Sequence, residues 1–325
     1  MKNSHGLLLS AVLLGGSYSS ITTATVIDFG IASNYNVFVQ NDFVAANSDV
    51  EGRLAAGGDV AITSYSVNSK NGSQLYSDTT TNPALLVGGD LSFNNGQVSG
   101  DVYVQGNYTP IASGNILNGS LNSDTVSSID FNATFSDLTQ LSENLSALSS
   151  NSSAIDKWTT QYLTGTGSND AGGDLHIFSL DVSDLYFSNY LLSGVDAGDT
   201  VLFNVSGDNI STGWGNFAGS DFSLSDLSAN IVYNFYEANS INLTAAMYGS
   251  ILAPTADIYS TYGVIEGQVI AASWNGNFQV NDNPFVSSVS SNSNSVSVPA
   301  PTGMIFLLLG LLTLTMRRQV FSKIR

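Results

Sequence analysis

The chain has 325 residues, with 26 Asp and Glu against 8 Lys and Arg, a formal net charge of −18. It contains no cysteine, which excludes disulfides, thiolate metal sites and thiol nucleophiles. Charged residues make up 10% of the chain, less than half the usual share of about 25%, and a chain this acidic repels phosphate backbones, so nucleic acid is not expected as a partner. Apolar residues supply 43%, enough for a core, and Ser, Thr, Asn and Gly supply most of the polarity. That mix favours an all-β-dominated protein with many turns over a helical bundle.

Residues 1–24 read as a secretory signal peptide. Lys2 gives a short positive start, and the apolar run at 6–16 is too short to span a bilayer. Small residues at Thr22 and Ala24 place cleavage after Ala24.

The next segment, 25–286, is dominated by strand signals. Asp59-Val60-Ala61-Ile62, Asp90-Leu91-Ser92-Phe93 and Asp101-Val102-Tyr103-Val104 are short, apolar-rich and bounded by Gly or Asn. Glycines precede each of them: Gly57-Gly58, Gly88-Gly89 and Gly100. The expectation is tight corners that need positive φ. Such short strands suit a sandwich or a β-solenoid.

An internal echo favours the solenoid. Val50-Glu51-Gly52-Arg53-Leu54-Ala55-Ala56-Gly57 is matched by Ile265-Glu266-Gly267-Gln268-Val269-Ile270-Ala271-Ala272, as stacked coils would repeat. One helix is expected where Phe131, Phe135, Leu138, Leu141, Leu145 and Leu148 recur at spacings of three and four, with Asn132 or Thr134 as its cap. Further strands are expected around His176–Leu180, Thr200–Val205 and Asn230–Phe235, all rich in β-branched and aromatic residues.

Residues 287–297 form a Ser/Asn-rich linker. Val298, Pro299, Ala300 and Pro301 follow, then an apolar run at 303–316, read as a transmembrane helix, and a basic end that begins at Arg317 and Arg318. This tail resembles the PEP-CTERM sorting signal of Gram-negative bacteria, with Ala300 where that family usually has Glu. The resemblance implies export through the Sec route, transient residence in the inner membrane and processing by an exosortase-type enzyme. An ordinary C-terminal membrane anchor is the alternative. Without both ends, Arg53, Lys70 and Lys157 stand as three basic residues against 26 acidic ones, a formal charge of −23. Salt or divalent cations would screen that self-repulsion.

The stretches Tyr35-Asn36-Val37-Phe38-Val39, Val50 to Val60, Leu86-Val87-Gly88-Gly89-Asp90-Leu91, Gly249 to Pro254 and Ile265 to Ala271 together resemble the choice-of-anchor A domain, an ice-binding-like adhesive module of bacterial surface proteins. The resemblance implies a right-handed β-helix with a helix alongside, a place at the cell surface as an adhesin or biofilm-matrix component, and no catalytic residues.

Chemistry is sparse. With His5 in the signal peptide, His176 is the one histidine of the exported part, and it lies in an expected strand where a structural role is the expectation. No Gly-x-Ser-x-Gly elbow occurs. No catalytic, cofactor-binding or metal residue is assigned. A glycan-active β-helix enzyme is the rival class, but its anionic substrate would need more basic groups than three. Calcium on Asp196-Ala197-Gly198-Asp199 or Asn281-Asp282-Asn283 is weighed against plain turn-making by Asp and Asn. Ice binding is a second alternative and would need small residues, often Thr, in ranks; Thr79-Thr80-Thr81 is a run within a loop. Trp214 and Trp274 are expected in loops, where they could meet sugars. The expected ligand is an extracellular polysaccharide or another surface ligand.

Overall fold

The computed structural model describes residues 27–70, 83–110, 115–123, 129–166, 173–186, 189–212, 216–219 and 227–286. The signal peptide with Ala24, the linker, the sorting motif Val298 to Pro301, the run at 303–316, Arg317 and Arg318, Thr79 to Thr81 and Trp214 lie outside these residues. No helix among the described residues is long and apolar enough to cross a membrane.

Parallel pairing organises the main sheet of twenty strands into a solenoid. On one side, Leu121–Ser123 pairs with Val102–Val104, and the ladder continues through Leu85–Val87, Leu54–Ala56 and Val37–Val39. It then jumps to the far end of the sequence. Val37, Phe38 and Val39 pair with Val269, Ile270 and Ala271, and from there the ladder runs back through Ser250–Ser260, Ile231–Asn234 and Thr200–Ser206 to Leu175–Asp181. Two half-solenoids, one from each end of the segment, thus share one continuous core.

Alternation fixes what each ladder buries. Val37, Leu54, Leu85 and Val102 point into the bore, where Phe178, Phe203 and Tyr233 stack at centroid separations of 5.1 and 5.0 Å. Phe38, Ala55, Leu86, Leu252 and Ile270 point outward and are covered by the helix Phe131–Ser146. The helix answers with Phe135, Leu138, Ser142 and Leu145. Phe38 stacks on both Phe131 and Phe135. Where the outward ladder becomes polar, it pins the helix: Asn204 Nδ2 donates to Leu145 O at 2.7 Å, and Asn234 Nδ2 donates to Ser142 O at 2.9 Å. The cap is Asp130, whose carboxylate accepts from Ala133 N at 3.0 Å, and neither Asn132 nor Thr134. The expected stripe is otherwise as found, with Leu148 buried just beyond the last turn.

The glycine pairs serve close approach and not positive φ. A Cβ on Gly88 would lie 2.3 Å from Gly57 O, and one on Gly89 would lie 2.1 Å from Asp59 Oδ1. That corner carries an aspartate ladder. Asp42, Asp59 and Asp90 each accept, through Oδ1, the backbone N–H of the equivalent residue one coil on, namely Asp59, Asp90 and Asn107, at 2.7–2.8 Å. Two of the expected strands run past their expected ends, to Val67 and Val98, because a single left-handed residue bends each without breaking it. Asn47, Ser64 and Asn95, at φ 55°, 49° and 58°, form that second ladder of bends.

The sequence echo marks the junction of the two halves. Glu51 and Glu266 flank the seam at which Asn36 and Asn281 meet. Asn36 Nδ2 donates to Gly267 O and Asn281 O, and its Oδ1 accepts from Gly52 N. Glu51 accepts from Asp282 N at 3.0 Å and pairs with Lys70 at 2.5 Å. Gln268, buried, donates to Ser33 O and Tyr35 O and accepts from Phe285 N.

Candidate functional site

The corner that carries the aspartate ladder changes character at the middle of the solenoid. Gly57-Gly58 and Gly88-Gly89 give way to Gln40-Asn41, Ala272-Ser273 and Pro254-Thr255. Opposite them stands the polar flank of the helix, with Asn132, Ser136, Asp137, Gln140 and Glu143. The two walls enclose an open groove of 840 Å³, floored in part by Phe135. Gln40 Nε2 and Asn132 Oδ1 approach to 3.4 Å across it. Two of its carboxylates are held: Asp257 Oδ1 accepts from Ser273 Oγ at 2.6 Å, and Glu143 Oε2 accepts from Gln140 Nε2 at 3.3 Å. Amides, hydroxyls and carboxylates around an apolar floor can hydrogen-bond a polyhydroxylated chain.

A second exposed feature closes the Leu175–Asp181 end. Ser153–Lys157 and Thr160–Thr164 form an antiparallel hairpin, and Thr160–Thr164 pairs in parallel with Asn189–Ser193. Leu163, Tyr190 and Leu192 face inward and join the solenoid core. Ile155 and Tyr162, directly opposed, face outward. Trp158 lies in the turn, 99% exposed, at φ 60°. A bulky side chain in the left-handed region costs on the order of 1–2 kcal/mol, and full exposure forgoes any burial in return.

The singled-out residues fall as follows. His176 is buried in its strand, with Nε2 2.9 Å from Asp199 Oδ2. Asp199 also accepts from Asp174 N and Asp196 N, so the Asp196-Ala197-Gly198-Asp199 stretch is held as a turn through its own carboxylate. Asn281, Asp282 and Asn283 belong to the seam: Asn281 donates to Glu266, Asp282 N donates to Glu51, and Asn283 donates to Ser228. Among the described residues no group of three or more His, Asp or Glu converges as a metal site. Trp274 is not in a loop. It is buried in the strand Val269–Gly276, stacked on Phe43, with its indole N–H donating to Gly276 O. Of the three basic residues, Lys70 binds Glu51, and Lys157 lies 5.5 Å from the centroid of the Tyr162 ring. The groove and the hairpin both escape sequence reasoning. The hairpin leaves only the weak signal of Ile155, Lys157 and Tyr162 around a Trp.

Beneath the hairpin, burial raises the Asp184 carboxyl above its ordinary value of 3.8, and the nearby Asp156 and Asp181 carboxylates add to the rise. The folded state therefore holds that proton more tightly than the unfolded chain does. Stability falls as pH rises through the raised value, and the penalty is complete at neutral pH. Asp184→Asn keeps an acceptor for Asp181 N. It will raise the melting temperature at about pH 7 and leave it unchanged near pH 3, read by thermal melts at both. An equal gain at both pH values would remove Asp184 as the cause.

One rank of outward positions on the side that follows the aspartate corner consists of Thr109, Ser92, Ala61, Val44, Asn275, Tyr259, Asn242 and Ser211, in coil order. This is a mixed ladder and not a threonine rank.

No curated protein matches the chain. Among solved structures it is similar to an ice-binding protein from the Antarctic ascomycete Antarctomyces psychrotrophicus, at 14% identity over 83% of this chain and 100% of that one, with a TM-score of 0.35. It is also similar to the DUF3494 domain of ice-binding protein 1 from Shewanella frigidimarina, at 10% identity over 84% and 100%, with a TM-score of 0.33. A glycosylated ice-binding protein from an Arctic yeast gives 11% identity over 86% and 98%, with a TM-score of 0.34. The pairings above, and not these distant likenesses, define the fold. One family pattern matches residues 28–282, from just before the first coil to the end of the seam, and the chain belongs to that family, described as an ice-binding-like adhesive domain.

Proposed function

We propose that this protein is a non-enzymatic, exported adhesive module that binds extracellular polysaccharide in the groove between helix and solenoid. Membership of an adhesive-domain family supports the general class. The observation that carries the site is the groove itself, where Gln40, Asn41, Asn132 and Gln140 present amides around an apolar floor. Amide-lined, solvent-open walls suit hydroxyl-rich ligands, and binding there needs no proton transfer. Sorting by an exosortase-type enzyme through the C-terminal tail, with Val298 to Pro301 as the signal, belongs to the same reading.

The test is retention on immobilised matrix polysaccharide, with calcium and with chelator. Asn132→Ala combined with Gln140→Ala will weaken retention about tenfold or more, the loss expected when two or more hydrogen bonds are removed. Unchanged retention would move the site elsewhere.

A second reading is ice binding, which the family description raises. The mixed outward ladder speaks against a ranked ice-facing surface. Thermal hysteresis in solutions of the full chain would overturn the adhesive reading in its favour.

A further inference from the structure

The projecting hairpin adds a site to that adhesive reading, on which the following rests. Nine large hydrophobic side chains are exposed among the described residues, and Ile155, Trp158 and Tyr162 lie together on this one hairpin. Single exposed apolar residues are ordinary on a protein surface; a cluster in so short a segment is not. The hairpin is also a fixed platform, because its inner face is anchored through Leu163 into the solenoid core. Strand register places Ile155, Tyr162, Lys157, Thr160 and Thr164 on the opposite, outward face. That face combines flat apolar surface with hydroxyl and ammonium donors. Lys157 is held in place over the Tyr162 ring.

Charge selects the occupant. The chain carries −18 overall, so anionic polymers and anionic bilayers approach it against repulsion. An uncharged polyhydroxylated ligand does not. Its pyranose rings offer an apolar C–H face for the indole, and its hydroxyls match Thr160, Thr164 and Lys157.

We propose that the turn and the outward face of this hairpin form a binding site for neutral polysaccharide, with Trp158 in the turn as the stacking platform. The test uses the full chain with dextran, laminarin and galactomannan as neutral probes. Alginate and phosphatidylcholine vesicles with and without phosphatidylglycerol are the competitors. Binding is read by calorimetry and by tryptophan emission, with Trp158→Asn giving the background from Trp214 and the buried Trp274.

At least one neutral glycan will bind saturably, shift the emission to the blue and protect it from acrylamide. Trp158→Asn, which suits the left-handed turn and so keeps the fold, will weaken that binding about tenfold or more. Trp158→Phe will weaken it less. Undiminished glycan binding by Trp158→Asn would overturn this site while leaving the adhesive reading intact. Protection by vesicles or alginate alone would also overturn it, in favour of a membrane or anionic partner. A full chain that binds neither these probes nor immobilised matrix would overturn both.

Discussion

Alanine at Gly88 will destabilise the solenoid by about 3–5 kcal/mol, at the top of the range for a single substitution. The new Cβ would lie 2.3 Å from Gly57 O and 2.9 Å from Gly57 C, both backbone atoms of the neighbouring coil. Relief is blocked, because Gly88 N donates to Ala56 O at 2.8 Å and Gly89 N donates to Gly58 O at 2.8 Å. Moving the coils apart would break the parallel ladder on both sides of the corner. Gly30→Ala is the comparison. It has nothing within 4 Å but a φ of 57°, so it loses only the left-handed preference, about 1 kcal/mol. Urea unfolding of the two variants will show midpoints well separated. Equal losses would mean that coil spacing at Gly88 is not the constraint.

Gln268→Ala will cost a similar amount, about 3–5 kcal/mol, by opening the seam. Its amide satisfies Ser33 O, Tyr35 O and Phe285 N in a site only 1% exposed. Truncation leaves buried backbone groups without partners, at about 1–3 kcal/mol each, and adds a cavity. Gln279→Ala, which removes one 3.4 Å contact with Glu51, will cost under about 1 kcal/mol. Hydrogen exchange provides the local reading. In Gln268→Ala, amides that cross the seam, such as Val269 N to Asn36 O, will lose protection before those of Leu54 and Leu85. Uniform loss of protection would show that the seam is no weaker than the rest of the solenoid.

The elements of this fold were legible where local chemistry decides them. The helix announces itself through Phe135, Leu138 and Leu145, and the strands through alternating β-branched residues. The seam was not legible as a seam. The Glu-Gly echo at Glu51 and Glu266 reads as repetition, yet its purpose depends on contacts such as Asn36 to Gly267, which are 231 residues apart. In sequence the glycine pairs look like conformational devices, and only the stacking of coils shows that space is what they provide. Asp130 is hard to pick out as the cap, because Asn132 and Thr134, just inside the helix, are also good capping residues.

The candidate sites were harder still. A groove between two elements has no sequence pattern, since Gln40, Asn132 and Asp257 come together only when the helix docks. Trp158 hides for a different reason. Sequence logic assigns Gly, Asn or Asp to a two-residue hairpin turn, so a Trp there argues against the turn it occupies.

The measurement that bears most directly on the central claim is binding of the full chain to a panel of soluble and matrix polysaccharides, with polymer length followed in the same samples. Saturable retention with the glycan chains left at full length is the result expected of an adhesive solenoid. Shortened chains or released oligosaccharides would contradict it and make the groove a catalytic cleft.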